Sequence, residues 1–260
     1  MTSVLEQLGV VWRTFVDWHV FAEVLPKFIT QGLPNTIRLT VYSAVIGTIV
    51  GLVLAIAMTS GRVAFRFPAG AYTNVMRALP AMLSIYVIGQ GLPLSGLKVF
   101  GNNTYGYAAL AVGLMESAYL AEIFRSGMQS VDRSYIESAQ SLGLSRWKTT
   151  RKIVIPIGFR RIIPALTNQY VLIIKATSMV YLLGLAIDQR DLFSMAKDEV
   201  GTRATLAPLV AAGAVYLLIT LPCMWLVNRI DVRLRNGADA SRNRVVRRTG
   251  NVPVRAAAEA

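Results

Sequence analysis

Residues 130–164 read SVDRSYIESAQSLGLSRWKTTRKIVIPIGFRRIIP, and their pattern predicts two short helices joined by a sharp turn. Ser134 stands where a cap serves the first helix, and Glu137, three residues on, returns the bond in a capping box. Gly143 supplies the residue that takes a left-handed C-terminal cap without a Cβ clash. Ser145 is placed to cap the second helix, expected to run through Trp147 and Arg151 to Ile155 and to stop at Pro156. Ser138, Ala139 and Ser141 give the first helix a small, neutral face between positive charges. Such a helix suits docking in a protein groove. A solvated link between longer elements is the plainer reading, and capping signals alone do not separate the two.

The sequence on both sides of this unit is apolar. Of 260 residues, 54% are hydrophobic and 16% charged, against about 25% charged in an ordinary soluble domain. Mean hydropathy is +0.48. This excludes a disordered chain and an ordinary soluble enzyme. Crossing ~30 Å of hydrocarbon takes about 20 helical residues. Five stretches meet that need: 37–58, 79–97, 104–124, 164–184 and 205–227. The second is interrupted by Pro80 and Pro93. Gly47, Gly51 and Ala55 recur at four-residue spacing in the first, where small residues let a neighbouring helix approach.

The 27 Lys and Arg outnumber the 14 Asp and Glu, and their placement explains why. Arg62, Arg66 and Arg77 lie in 59–78, eight basic residues lie in 125–161, and eight arginines lie in 229–260. The alternate connections are poor in charge or balanced. This positive-inside pattern predicts five spans with the N-terminus outside and the C-terminus cytoplasmic, and it removes the main support for nucleic-acid binding. Residues 1–33 are expected to form an external interfacial amphipathic segment, with Trp12 and Trp18 at headgroup depth and His19 on the surface. They lack an apolar core beside a basic start, so no cleaved leader is expected. Residues 34–230 form the membrane domain with a cytoplasmic loop at 126–161. Residues 231–260 read as a basic, disordered cytoplasmic tail, drawn to anionic lipid.

Two charges fall deep in the membrane. Glu116 lies about 18 Å below the outer face and Lys175 about 16 Å above the inner one, at 1.5 Å per residue. An isolated charge there costs about 3 kcal/mol. Either the two pair and hold the third and fourth spans together, or Lys175 meets a substrate carboxylate with Asn168, Thr177 and Ser178 beside it. Glu122 and Arg125, three apart on one helix face, predict a local salt bridge. Cys223 and His19 are the single cysteine and histidine, so no clustered Cys/His metal site and no nucleophile–base pair is expected.

The loop resembles the cytoplasmic EAA motif of permease subunits of binding-protein-dependent ABC importers: Glu-Ala-Ala, three residues, Gly, nine residues, then Ile-x-Leu-Pro. Here Glu137-Ser138-Ala139, Gly143 and Ile153-Val154-Ile155-Pro156 keep the full spacing, with Ser138 and Ile155 as mild departures. Ala118 to Gly127, Leu166-Thr167-Asn168-Gln169 and Lys175-Ala176-Thr177-Ser178 are similar to the polar amino-acid branch. Many relatives have Asp where this chain has Ala176, which weakens a cationic substrate.

The resemblance implies an all-α membrane protein with the type I ABC importer permease fold, multi-pass in a bacterial cytoplasmic membrane. It implies a second permease copy, identical or homologous, two ABC ATPase subunits and an extracytoplasmic substrate-binding protein. ATP and magnesium are expected on the ATPase, because this chain has no Gly-x-x-x-x-Gly-Lys-Ser/Thr loop. Ser134, Glu137, Ser138, Ala139, Gly143, Ile153 and Pro156 are expected to couple to the ATPase. Glu116, Asn168, Gln169, Lys175, Thr177 and Ser178 are the expected substrate path for a polar amino acid. A stand-alone secondary transporter or channel is the alternative, since intramembrane charges and an interrupted second span would suit it. An intramembrane enzyme lacks candidate groups.

Overall fold

The computed structural model describes residues 9, 11, 12 and 14–249, and leaves the side chains of 146, 228 and 230–249 undescribed. Among the described residues the regular elements are helical and there is no strand. The order is α1 (Trp18–Lys27), a π turn (Phe28–Gly32), α2 (Leu33–Thr59), α3 (Val63–Ala78), α4 (Ala81–Leu94), α5 (Thr104–Gln129), α6 (Arg133–Ser141), α7 (Arg146–Thr149), a second π turn (Thr150–Val154), α8 (Ile155–Ala176), a 3-10 turn (Thr177–Leu183), α9 (Leu192–Arg203) and α10 (Ala207–Thr249).

Among the described residues, three helical runs are long and apolar enough to cross a membrane: Trp18–Thr59, Thr104–Gln129 and Ala207–Val227. The pair α3 and α4 meets the same test together, bent by 114° where Leu79 and Pro80 leave the helix. α8 is not among them, and it carries Arg160, Arg161 and Lys175.

Small residues set the central packing. α2 lies on α5, and a Cβ at Gly51 would stand 2.9 Å from the Ser117 carbonyl oxygen and 2.9 Å from Leu120 Cβ. Gly113 answers from α5, where a Cβ would meet Ile46 at 2.8 Å. The Gly47–Gly51–Ala55 stripe is therefore a packing seam, as its spacing suggests. α8 also packs on α5, and the main core gathers Leu39, Ile85, Val112, Leu120, Ile173 and Val180.

Three boundaries differ from the sequence reading. The segment expected to end at residue 33 runs without a break into the first span, because the π turn absorbs Pro34. In an α-helix a proline ring collides with the carbonyl four residues earlier. Here the preceding Leu33 N–H reaches back five residues to Phe28, which displaces that carbonyl. The same device precedes Pro156, where the Ile155 N–H bonds the Thr150 carbonyl. Pro156 therefore opens α8 instead of ending a helix, and the fourth helix begins at Ile155, not 164. Residues 63–78, read as loop, form α3 with Ala69 and Thr73 buried.

The N-terminal helix is also more buried than an interfacial one. Val20, Val24 and Phe28 pack on Leu192, Ala196, Ala207 and Ala211 in a second core, while Trp18 stays 75% exposed. At the other end, the backbone of α10 is helical to Thr249, where disorder was expected from 231. Arg and Ala are strong helix formers, and no proline occurs from 231 until Pro253. Residues 250–260 of the expected tail lie outside the described residues.

Candidate translocation face and coupling loop

The loop between α5 and α8 projects α6 into solvent. Ser134, Glu137 and Ser138 are exposed, while Ala139 is buried. The helix starts at Arg133 with Asp132 at its N-cap and no side-chain capping bond. The expected Ser134–Glu137 capping box is thus absent, because Ser134 already lies inside the first turn. The C-terminus follows expectation. Gly143 has φ +82°, its N–H donates to the Gln140 carbonyl, and the Leu144 N–H donates to the Ala139 carbonyl. These two bonds make a Schellman end that only glycine adopts without strain. Ser145 Oγ accepts the Lys148 N–H at 3.4 Å. Ile153 is half-buried within the π turn and Pro156 is exposed at the start of α8. Arg161 donates to the Ser130 carbonyl at the end of α5, tying the two roots of the loop together.

α5 and α8 touch backbone to backbone directly above the loop. A Cβ at Gly158 would stand 2.5 Å from the Gly127 carbonyl oxygen.

The polar residues expected within the membrane divide into two sets. Glu116 is 4% exposed and Gln169 is 8% exposed. Gln169 Nε2 donates to Glu116 Oε2 at 2.5 Å, so these two bind α5 to α8 inside the subunit. The expected Glu116–Lys175 pair does not form. Six residues separate Gln169 from Lys175, which turns Lys175 about 120° around the helix. Asn168 and Lys175 are seven apart and share one exposed stripe of α8 with Leu172. Neither side chain makes a hydrogen bond or ion pair among the described residues. Thr177 is fully buried with its hydroxyl on the Ile174 carbonyl, and Ser178 Oγ bonds the Lys175 carbonyl. The structure therefore separates Glu116 and Gln169 from the stripe that carries Asn168 and Lys175.

Glu122 and Arg125 form the expected local pair, with guanidinium contacts of 2.6 and 2.9 Å. Arg77 joins them at 3.5 Å and lies over the Tyr119 ring. Its part was not readable from spacing, because α3 contacts α5 through tertiary packing.

Sequence reasoning also missed a buried polar cluster where α2, the segment before α9, and α9 itself meet. Asn35 donates to the carbonyls of Asp188 and Arg190. Thr36 Oγ1 accepts the Leu192 N–H at 3.0 Å. Asp191, fully buried, caps α9 by accepting the N–H groups of Phe193 and Ser194. Burial pushes its carboxyl up to about 6, against the opposing pull of the Ser194 hydroxyl and those amides. In sequence this connection reads only as balanced in charge, with no sign of a buried acid. Pairing an Asp with a Ser three residues later was the available signal.

Among the described residues no group of three or more His, Cys, Asp or Glu is placed to hold a metal ion.

The family described as the binding-protein-dependent transport system inner membrane component matches residues 25–236. The arginine transport system permease protein ArtQ of Bacillus subtilis is 30% identical over 219 residues, covering 83% of this chain and 97% of that protein. The glutamate/aspartate import permease protein GltK of Escherichia coli O6:H1 is 32% identical over 222 residues, covering 84% and 97%. A crystal structure of an amino acid ABC transporter with histidines superposes with TM-score 0.72 and 31% identity, covering 84% of this chain and 99% of that one. An inward-facing methionine ABC transporter, at 15% identity and TM-score 0.61, supports the fold alone. The match runs from the first buried helix to beyond the last apolar span, and the chain belongs to the inner-membrane components of binding-protein-dependent transport systems, among the amino-acid ABC permeases.

Proposed function

We propose that this chain is a non-catalytic permease subunit that lines the path of an ATP-driven importer for a polar amino acid. The observation that carries this reading is the exposed stripe of Asn168 and Lys175 on α8. An uncompensated Lys facing hydrocarbon costs about 3 kcal/mol, so such a residue faces a water-filled path or another protein. A second permease copy across that face encloses a polar path, and Lys175 supplies a cation for the substrate carboxylate. The relatives named above transport arginine in one case and glutamate or aspartate in the other. A receptor for the shared amino-acid end, with no Asp at Ala176, fits a substrate class of polar, non-cationic amino acids.

Energy enters through α6. Its exposed face of Ser134, Glu137 and Ser138, ended sharply at Gly143, is shaped to sit in a groove of a separate ATPase subunit, which holds ATP and magnesium. Closure of two such ATPases moves the two α6 helices together and tilts the spans between inward- and outward-facing states. An extracytoplasmic binding protein delivers substrate to the opposite face. Five crossings, with α3–α4 as one broken span and α8 as another, keep the N-terminus outside and the loop and C-terminus cytoplasmic. Family membership leaves the stand-alone transporter reading without a supporting feature of its own.

The test is uptake by the complete transporter in proteoliposomes. Lys175→Met and Asn168→Leu are each expected to lower ATP-driven amino-acid uptake at least about tenfold, the loss of one good polar contact at about 1.4 kcal/mol per decade, with assembly intact by gel filtration. Unchanged uptake in both variants overturns the path assignment.

A further inference from the structure

Between α2, α5 and α8 lies an apolar cleft of about 590 Å³, walled by Leu52, Ile56, Met128, Ile155, Phe159 and Ile163. It continues along α2 as a shallower groove past Val45 to Val41, sharing Thr48 and Tyr170 with the cleft. Those two hydroxyls bond each other at 2.9 Å, which leaves a single O–H on an otherwise apolar wall. From Val41 to Ile56 the seam runs about 22 Å at 1.5 Å per residue, more than the ~15 Å that one leaflet of hydrocarbon provides. Unlike the Asn168–Lys175 face, this one carries no charged group and little for a ligand to hydrogen-bond.

The foot of the groove is cationic. Arg151 lies one turn before Ile155, and Lys152 stands next to it. Both are exposed, and neither enters an ion pair among the described residues. Residues 146–161 hold six basic side chains and no acidic one. A second copy of this chain would bring the same cations to the contact and meet them with like charge. An apolar tail joined to a negative head matches both parts.

We propose that this groove holds an acyl chain of an anionic glycerophospholipid, whose phosphate sits on Arg151 and Lys152. The site rests on the cytoplasmic placement of the loop given above, where anionic lipid concentrates. Bound there, the lipid spans α2, α5 and α8 beside the Gly127–Gly158 crossing, at the root of the loop.

The experiment uses the complete transporter in nanodiscs that carry a photoactivatable diazirine acyl chain on either phosphatidylglycerol or phosphatidylcholine, at equal mole fraction. Labelled peptides are mapped by mass spectrometry. The expected result is label on Met128 and on 155–163, about tenfold stronger from phosphatidylglycerol. Arg151→Gln/Lys152→Gln should bring that label down to the phosphatidylcholine level. Ile163→Trp, which fills the cleft, should lower it from both lipids. Equal labelling of wild type by the two lipids overturns the proposal. So does absence of label together with disulfide crosslinking of Phe159→Cys to a second copy, which would show a protein in the groove. In parallel, Leu142→Cys, 84% exposed in the native residue, is probed with an impermeant maleimide. Reaction from the cytoplasmic side without lipid selectivity sinks the lipid site alone, whereas reaction from outside sinks the topology beneath it.

Discussion

Replacing Gly158 by Ala probes the crossing of α5 and α8 with one methyl group. The new Cβ would stand 2.5 Å from the Gly127 carbonyl oxygen and 2.9 Å from its carbonyl carbon. Both are backbone atoms, so no side chain can swing away. Restoring an ordinary contact of 3.4 Å requires the helices to part by about 0.9 Å, the difference between 3.4 and 2.5 Å. Overpacking of this kind costs about 1–3 kcal/mol. Ala is also the better helix former, by about 1 kcal/mol, which acts in the opposite direction. At this site the collision wins, because separation loosens every contact along the seam. A backbone-on-backbone collision belongs to the upper half of that range, about 2–3 kcal/mol, so the net loss is about 1–2 kcal/mol, a drop in Tm of roughly 2–8 °C for a chain of this size. Gly70→Ala in α3 is the internal control: its Cβ would meet nothing within 4 Å, so only the propensity gain remains and Tm should hold or rise. Thermal unfolding of the detergent-purified transporter reads both. A Gly158→Ala protein as stable as wild type, beside a neutral Gly70→Ala, refutes the backbone-contact reasoning.

Other consequences follow from the same geometry. Gln169→Leu strips the buried Glu116 of its hydrogen-bond donor and should destabilise by about 1–3 kcal/mol; Glu116→Leu/Gln169→Leu, with neither polar partner left, should lose less, and a thermal-melt cycle that finds the double variant worse contradicts the pairing. Gly143→Asp forces a side chain to φ +82° and should insert normally yet abolish ATP-dependent uptake; full uptake would show that α6 needs no glycine end. Asp191 has a native pKa of about 6 against an ordinary 3.8, so between those values the folded state binds more protons than the unfolded one. Its contribution is fully present below about 3.8 and is lost as pH rises through 6, so stability should be higher at pH 5 than at pH 7 by roughly 1 kcal/mol. Asp191→Asn keeps a capping acceptor but not the titration, and the difference between the two melting curves should vanish toward low pH; a difference that is constant with pH overturns the assignment.

What could be read without coordinates was whatever the backbone itself dictates. Gly143 was legible because a left-handed cap has few other solutions. Gly47, Gly51 and Ala55 were legible because small residues every four positions mark one helix face. The capping box at Ser134 failed by two residues of register, since Asp132 and Ser134 compete for the same end and the sequence does not say which wins. Pro156 misled because its usual meaning, a stop, is cancelled by a π turn that no composition rule announces. The partner of Glu116 was half legible. Depth along the helix brought Lys175 level with it, but the angle around the helix, countable at 100° per residue, already turned Lys175 away and placed Asn168 beside it. The Asp191 cluster and Arg77 depend on contacts between residues far apart in the chain, and local pattern carries nothing about those.

The close crossing at Gly127 and Gly158 gives the coupling loop its mechanical meaning. α6 hangs between α5 and α8, so under the proposed coupling role a force applied to it would enter both helices at the ends that carry the loop. Were large side chains wedged between them, part of that displacement would be absorbed by rotamer changes before it reached the membrane. Backbone in contact with backbone offers no such slack, and packed interiors shift between discrete arrangements more readily than they deform. The Arg161 bond to Ser130 braces the same point from outside. Under the proposed coupling, these contacts predict that α5 and α8 move as one body. Because α8 carries Lys175 on its exposed stripe while α5 holds it through Glu116 and Gln169, a tilt begun at α6 repositions the cation without breaking the buried pair. The buried polar pair then serves as a fixed strut of the moving unit, which is why its loss should lower stability while loss of Lys175 should lower transport.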